Sequence, residues 1–582
     1  MAQFDQKAII EAPKYSRFEF PFESIGTLQM GIGTPVLHKP VVAGDNWRLS
    51  VDQIMRLAPL SSPVFDDVSL HFRAFFVPNR ILDPRWKEFI TGGIGLYGSS
   101  DNEIAPMSFT VRSLVSAKDD LKSRYSAAAG HDYSYCAQVG GLADWLNFHF
   151  AYYDPATGRP SWYDNSGNEA HEVIEYASGS PDAFDLLPFL GYQKIYDDWY
   201  RNERYQEERL PQILTYLNEE SADDRLYDRD LSLVSFLNPN PFQLWRVNYG
   251  KDRYTTALPE PTVGGDVYYG GASDSTYASN GFVPVEWDSE SINPGVNEVI
   301  SAYRNTTGDK SFISSPLSGG AISSAKHDIS LYARVAAAAQ DTIRNLKTAF
   351  KMYSFFMKDT YNGNRYVEFM DSHFDVRVPD ATLDRAIYLG DHKVRISFGE
   401  VFQTSGAAPD SGEGVLGDYA GRGAAYSDDG YLFEEKFLEH GQLYVIASIV
   451  PRAKYYQGID RKFFKKDRFS YFFPEFQNIG DDILYAQELY FNNDNLSTFG
   501  YAPRWAELKE NLDEVHGDFL SSMDEYHFGR VFDDTPQLGS FFSQIPTINR
   551  PFSVTDEFSE NYLINMRWRA SASRPLLMYE TF

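Results

Sequence analysis

The chain has 582 residues and a formal net charge of −28, from 53 basic and 81 acidic residues. This length allows several ordinary domains or one domain with large insertions, and the acidic balance argues against a protein that simply coats nucleic acid. Tyr (39) and Phe (43) are abundant, and 30 Pro and 42 Gly interrupt the chain at short intervals. This composition favours a β-rich protein with long loops and large interfaces.

The first ninety residues contain the clearest strand patterns. Phenylalanines alternate with polar or proline residues over 18–22, a second strand is predicted over 34–42, and residues 68–77 alternate with a period of two. A short helix is predicted next, because Asp83 is a good N-cap and Pro84 suits the first helical position.

Two long stretches in the middle of the chain have few apolar clusters. Residues 95–181 are predicted to be a first insertion, and residues 260–326, rich in Gly, Ser, Asn and Thr, a second. The second is too long for an ordinary connection, so a functional or protruding segment is expected there. Helices are predicted over 186–206 and, from apolar spacings of three and four, over 328–359.

The remainder returns to short strands, predicted over 394–402, 442–450 and 562–570. Since no linker separates independent halves, we expect residues 1–582 to form one β domain that carries both insertions. Cys136 is the only cysteine, which excludes an intrachain disulfide and favours folding in a cytoplasm. The N-terminus lacks the features of a signal peptide, and no stretch has the ~20 apolar residues needed to cross a bilayer.

The densest basic and aromatic segment is RKFFKKDRFSYFF at 461–473. Cations that meet phosphates and rings that stack on bases suit single-stranded DNA, and alternating arginines near the C-terminus could contact phosphates as well. The candidate DNA contacts are Arg461, Lys462, Phe464, Lys465, Lys466, Arg468, Arg567, Arg569 and Arg574. The alternatives are a core position for the rings, with the cations in a solvated rim or subunit contact, and intersubunit salt bridges for the C-terminal arginines.

Patterns for catalysis, cofactors and metals are weak. Residues 93–98 match GxGxxG by letter, but they follow a predicted helix and no βαβ unit surrounds them. His171 and Glu172 lack a second histidine at HExxH spacing, and a single cysteine cannot build a thiolate zinc site. Carboxylate pairs are expected by chance in so acidic a chain. We therefore predict no catalytic residue, cofactor or metal, and no enzyme.

Six segments, in order along the chain, resemble the major capsid protein of microviruses, in the gokushovirus-like branch of small icosahedral single-stranded DNA phages. They are VFDDVSLHFRAFFVPNRILDPRWKEFITGG (64–93), LPFLGYQKIYDDWYRNERYQ (187–206), YGKDRYTTALPEPTVGGDV (249–267), NLKTAFKMYSFFMKDTYNGNRYVEFMDSHFDVRVPDATLDRAIYLG (345–390), GQLYVIASIVPRAKYYQGIDRKF (441–463) and FGYAPRWAELK (499–509). The chain departs from the family pattern in the length of 95–181 and in lacking a proline just before Tyr388.

The resemblance implies a mainly β viral jelly-roll sandwich with large loop and helical insertions. It also implies a T=1 icosahedral shell of identical subunits around a circular single-stranded DNA genome, with residues 260–326 protruding near the threefold axes and serving host attachment. The implied partners are packaged DNA, a host receptor, and virion proteins such as a pilot or an internal scaffolding or DNA-binding protein. The location is the virion, assembled in the host cytoplasm without membrane insertion. The rival interpretation is a secreted or surface carbohydrate-binding protein or glycoside hydrolase, since such chains are often acidic, aromatic and loop-rich.

Overall fold

Strand β5 shows how the sequence pattern builds the sheet, because Val68, Leu70, Phe72 and Ala74 are all buried on one face. The computed structural model describes residues 15–91, 140–148, 184–219, 241–261, 343–362, 365–399, 422–476, 480–492, 496–555 and 559–578, with short strands between 108 and 332. Two compact units are present, one formed by Met1–Pro261 with Asn362–Phe582 and the other by Thr262–Tyr361.

In the described part of the first unit, nine strands form one curled antiparallel sheet. They are β1 (Ser16–Glu19), β2 (Phe22–Leu28), β3 (Thr34–Val41), β4 (Asn46–Leu57), β5 (Val68–Pro78), β6 (Ile387–Gly399), β7 (Arg422–Lys436), β8 (Gly441–Pro451) and β9 (Tyr562–Arg574). The strands predicted over 34–42, 68–77 and 442–450 are confirmed to within one residue, and the one predicted over 562–570 extends to Arg574. The strand predicted over 18–22 is interrupted at Phe20 and Pro21, between β1 and β2. Strand β6 begins at Ile387, seven residues before the strand predicted over 394–402, whose residues 400–402 lie outside the described residues.

The sheet folds into two layers that are joined by β6. Residues 387–396 of β6 pair with β5, with a register shift at Leu389. They belong to a second layer ordered β6-β5-β8-β3. Ser397–Gly399 of β6 pair with β7, in a first layer ordered β1-β9-β4-β7 with β2 beside β9. Register shifts in β7 at Gly430 and Phe433 increase the curl. Phe72 of the second layer meets Trp568 of the first edge to face, with centroids 6.5 Å apart. The chain is therefore a mainly β sandwich of the jelly-roll class with insertions.

Eight α-helices lie in the described residues. They are α1 (Asn79–Leu82), α2 (Trp86–Thr91), α3 (Leu142–Trp145), α4 (Leu187–Ile195), α5 (Arg209–Glu219), α6 (Ile343–Asn362), α7 (Tyr366–Phe374) and α8 (Ser540–Ser543). Short two-stranded ribbons in the first unit pair Ser108–Phe109 with Phe184–Asp185, Tyr152–Asp154 with Arg159–Ser161, and Asp481–Tyr485 with Thr498–Pro503. Among the described helices, none is long and apolar enough to span a membrane.

Helix α4 covers the outer face of the second layer. The Tyr192 hydroxyl donates to the Gly33 carbonyl at 2.8 Å, and the Tyr444 hydroxyl of β8 donates to the Pro188 carbonyl at 2.7 Å. Gly191 allows this approach, because a Cβ there would lie 2.3 Å from the Tyr444 hydroxyl oxygen. This packing explains why β8 is apolar on both faces. The helix predicted over 186–206 continues as a π-helix only to Tyr200, and Asn202–Gln206 form a turn.

A smaller hydrophobic cluster lies beside the sandwich. It contains Tyr254, Leu484, Leu489, Phe499 and Phe542, and it anchors the ribbon of Asp481–Tyr485 and Thr498–Pro503. Between 452 and 534, the described residues outside this ribbon form mainly turns and short 3₁₀ helices on this support.

The second unit contains a hairpin of Glu298–Arg304 and Lys310–Pro316, a short pair of Glu286–Trp287 and Leu331–Tyr332, and most of α6. The helix predicted over 328–359 is wrong at its beginning, because Leu331–Tyr332 form a strand and α6 begins at Ile343. The apolar periodicity that supported the prediction lies within α6 itself. The prediction of one domain with insertions at 95–181 and 260–326 stays a prediction.

Candidate nucleic-acid and subunit interface

Arg461 is the centre of an internal ion-pair network. Its guanidinium lies 2.7 Å from Glu488 and 2.8 Å from Asp482, and 3.8 Å from Glu507, and it donates to the Ile483 carbonyl at 2.6 Å. Its side chain is 12% exposed and that of Glu488 is fully buried. Burial alone would lower the pKa of Arg461, but these carboxylates raise it above the usual value. The charge of Arg461 is thus already used inside the subunit.

Residues 462–473, here called the basic-aromatic patch, follow Arg461 on the surface. Phe463, Phe469, Tyr471, Phe472 and Phe473 are between 39% and 72% exposed. A core position for these five rings is therefore excluded within the described chain. So much exposed aromatic surface in one short segment marks a binding surface.

The cations of the patch lie against its rings. Lys465 Nζ is 4.9 Å from the ring centroid of Tyr471, and the Arg468 guanidinium is 4.9 Å from that of Phe469. Lys462 Nζ lies 5.4 Å from the Phe463 ring and 3.3 Å from the Asp460 carboxylate. Lys466 is exposed.

Phe464 is the one candidate of the patch that anchors it. It is half-buried and stacks on Tyr485 with centroids 5.4 Å apart. Asp467 caps the following 3₁₀ turn by accepting from Ser470 N at 2.7 Å. The stacking contact holds the patch against the strand Asp481–Tyr485, and the cap fixes its local turn.

The three C-terminal candidates lie in different surroundings along β9. Arg574 Nε is 3.1 Å from the fully buried Asp45 carboxylate, and its guanidinium covers Trp47 at 5.0 Å. Asp45 also accepts from Trp47 Nε1 at 3.0 Å. Arg574 therefore fastens the end of β9 to the turn between β3 and β4, and its position argues for a structural role.

Arg567 and Arg569 lie on the outer face of the first layer. Both are exposed, and Arg569 pairs with Asp52 at 2.7 Å. The neighbouring strand β4 adds Arg48 and Arg56 to the same face, opposite Ser571 and Leu563 in the register. The sequence analysis missed these two arginines, which the alternation of β4 would have placed on the solvent side.

A second surface that the sequence analysis missed is residues 508–534, here called the acidic strip. It contains eight acidic and two basic residues, and one of the two basic residues, Arg530, is buried. Leu508, Leu520, Met523 and Val531 are 36–60% exposed among the carboxylates. The run of acidic residues was visible in the sequence, but its exposed aliphatic side chains were not.

A polar groove of about 670 Å³ lies beside the strip. Three of its four carboxylates form ion pairs with Lys or Arg: Asp67 with Arg395 at 2.9 Å, Asp513 with Arg452 at 3.0 Å, and Asp66 with Lys454. The fourth, Glu514, lies 2.9 Å from His516 Nε2. A glycosidase needs a carboxylic acid and a carboxylate that are free to act on a sugar, and paired groups do not fit that need. No group of three or more His, Cys, Asp or Glu suited to a metal is found in the described ranges.

Comparison with known proteins gives the family. The family model described as capsid protein (F protein) matches residues 10–111 and 182–581. The chain belongs to this capsid protein family. The unmatched residues 112–181 fall inside the stretch predicted as the first insertion.

Curated relatives agree with the family match over nearly the whole chain. Capsid protein VP1 of Chlamydia phage 1 is 27% identical, covering 95% of this chain and 93% of its own length. The VP1 proteins of Bdellovibrio phage phiMH2K (26%) and Spiroplasma virus 4 (23%) each cover 97% of this chain and 94% of their own length. These are gokushovirus-type microviruses. The resemblance predicted from the sequence is confirmed, and the capsid protein is structural and not an enzyme.

Proposed function

We propose that this capsid protein assembles into a closed T=1 icosahedral shell that encloses a circular single-stranded DNA genome. The observation that carries the proposal is the combination of full-length similarity to VP1 capsid proteins with a sandwich whose surface displays many large apolar side chains. Identical subunits close into a shell when such surfaces are covered by neighbours. Assembly in the host cytoplasm, before release as a virion, is part of the proposal.

We assign the genome contact to the outer face of the first layer, at Arg567 and Arg569. Both are exposed on a sheet face that also carries Arg48 and Arg56, and arginines on a pleated surface can reach successive phosphates. The contact is electrostatic, so it does not require a particular DNA sequence.

We further propose that residues 260–326 form the surface protrusion that meets the host receptor, and that residues 95–181 are a second insertion. The division of the chain at Thr262–Tyr361 into a separate compact unit supports the first, and the gap in the family match at 112–181 supports the second. Virion proteins such as a pilot or an internal scaffolding protein are proposed partners.

The test is expression of the full chain, with or without its phage DNA, followed by sedimentation and electron microscopy. The proposal expects closed shells and DNA that resists nuclease. The Arg567→Gln variant is expected to form shells and to lower the slope of log affinity against log salt for single-stranded DNA by about 0.7 for each phosphate that the protein no longer neutralises. A monomer that neither assembles nor protects DNA would refute the proposal.

A further inference from the structure

Two surfaces of the described chain are opposite in charge and alike in their exposed apolar side chains. The basic-aromatic patch contains four basic residues and one acidic residue, whereas the acidic strip has eight acidic and two basic residues. The basic-aromatic patch adds five exposed rings, and the strip adds exposed aliphatic side chains. Each surface therefore has the charge that the other needs and an apolar part to bury against it.

We propose that the basic-aromatic patch of one subunit docks on the acidic strip of a second copy of this chain. The inference rests on the proposed shell, since a closed assembly of identical subunits uses heterologous contacts in which two different patches of one chain meet. The contact would be the same at each repeat around a symmetry axis.

The surroundings of the cations favour a protein partner over DNA at this patch. Lys465 and Arg468 lie over rings of their own segment. Exposed carboxylates are interleaved with the cations, at Asp460 and Asp467. Rings surrounded by mixed charges are instead typical of the centre of a protein interface, where aromatic and arginine side chains supply most of the binding energy.

Both surfaces are held rigidly, so little order has to be gained on docking. Arg461 ties the base of the patch to Asp482, Glu488 and Glu507. The strip is fixed by the ion pair of Arg452 with Asp513 at 3.0 Å and by the ring contact of Phe65 with Phe519 at 6.1 Å.

Charge reversal tests the pairing with the full-length chain. The patch variant carries Lys462→Glu, Lys466→Glu and Arg468→Glu, and the strip variant carries Glu514→Lys, Asp518→Lys and Asp533→Lys. All six side chains are exposed. A combined chain carries both sets, and a matched control carries Lys87→Glu, Arg377→Glu and Lys393→Glu, at three exposed cations outside both surfaces and outside the first-layer arginine face. Circular dichroism confirms the fold, and sedimentation gives the subunit concentration at which half of the chain assembles.

The proposal expects the patch and strip variants each to raise that concentration about tenfold or more, and the combined chain to return it to within about threefold of wild type. The control is expected to assemble and to package DNA normally. Normal assembly of the patch variant with reduced DNA would overturn the proposal in favour of a DNA contact, and failure of the combined chain to recover would also overturn it. If the wild-type chain forms only small oligomers, the shell proposal fails. The effect of the charge reversals on those oligomers still tests whether the patch and the strip form the contact between subunits.

Discussion

Replacing Arg461 by Met separates a structural role from a DNA-binding role for this residue. The variant removes the partner of the fully buried Glu488, and breaking a buried ion pair in this way typically costs about 3–5 kcal/mol. Glu488 keeps two hydrogen bonds, from Tyr485 N at 3.0 Å and from the Tyr254 hydroxyl at 3.1 Å. We therefore expect the lower end, a loss of about 3 kcal/mol in the free energy of unfolding.

The assay is urea unfolding of the dissociated subunit at several pH values. Burial raises the pKa of Glu488 and Arg461 opposes that shift, so the variant should hold a proton on Glu488 to higher pH than the unfolded chain does. The loss of unfolding free energy relative to wild type is then smallest below the pKa of glutamate in the unfolded chain, and it grows as the pH rises through the pKa of Glu488 in the folded variant. Lys462→Met is the control, with a change within about 0.5 kcal/mol. An Arg461→Met subunit as stable as wild type but weaker in binding single-stranded DNA would refute the reasoning.

Three further predictions concern packing, the end of β9 and pH. Gly191→Val places a methyl-bearing Cβ 2.3 Å from the Tyr444 hydroxyl oxygen and should lower the free energy of unfolding by about 1–3 kcal/mol. Gly250→Ala, with open space around its Cβ, is the control in the same melting experiment. A Gly191→Val chain as stable as wild type would contradict the packing of α4 against β8. Arg574→Gln leaves buried Asp45 without its cation and should lower the free energy of urea unfolding by about 2–3 kcal/mol. Arg569→Gln, at a half-exposed pair, is the control and should lower it by under about 1 kcal/mol. Equal losses would contradict the role of Arg574 in fastening the end of β9. Burial lowers the pKa of His38 to about 4 from 6.5. The stability that neutral His38 contributes is therefore present above pH 6.5 and is lost as the pH falls towards 4. His38→Gln should make the free energy of unfolding less dependent on pH across that window, and an unchanged slope would rule out His38 as its source.

Local patterns predicted most strands of the sheet, because a half-buried strand alternates apolar and polar side chains at consecutive residues. The strand at β5 was predicted in this way, and β8 was predicted from its continuous apolar run. The β-rich class followed from such patterns, whereas the jelly roll was implied by the family resemblance. The helix predicted from residue 328 failed at its beginning, since Leu331–Tyr332 pair with Glu286–Trp287. That pairing spans some forty residues and leaves no local signal.

The surroundings of the candidate DNA contacts could not be predicted for the same reason. Arg461 and Lys462 look alike in sequence, but only Arg461 meets carboxylates from residues 482, 488 and 507. Arg574 is separated from its partner Asp45 by most of the chain. Charge density along the sequence therefore marked both segments but did not distinguish internal ion pairs from exposed cations.

A reconstruction of the assembled particle at side-chain resolution tests the central claim most directly. It should show a closed shell in which Phe463, Tyr471 and Phe472 of each subunit are covered by a neighbouring copy. Particles that do not close, or a stable single subunit whose rings stay in solvent at high concentration, would contradict it.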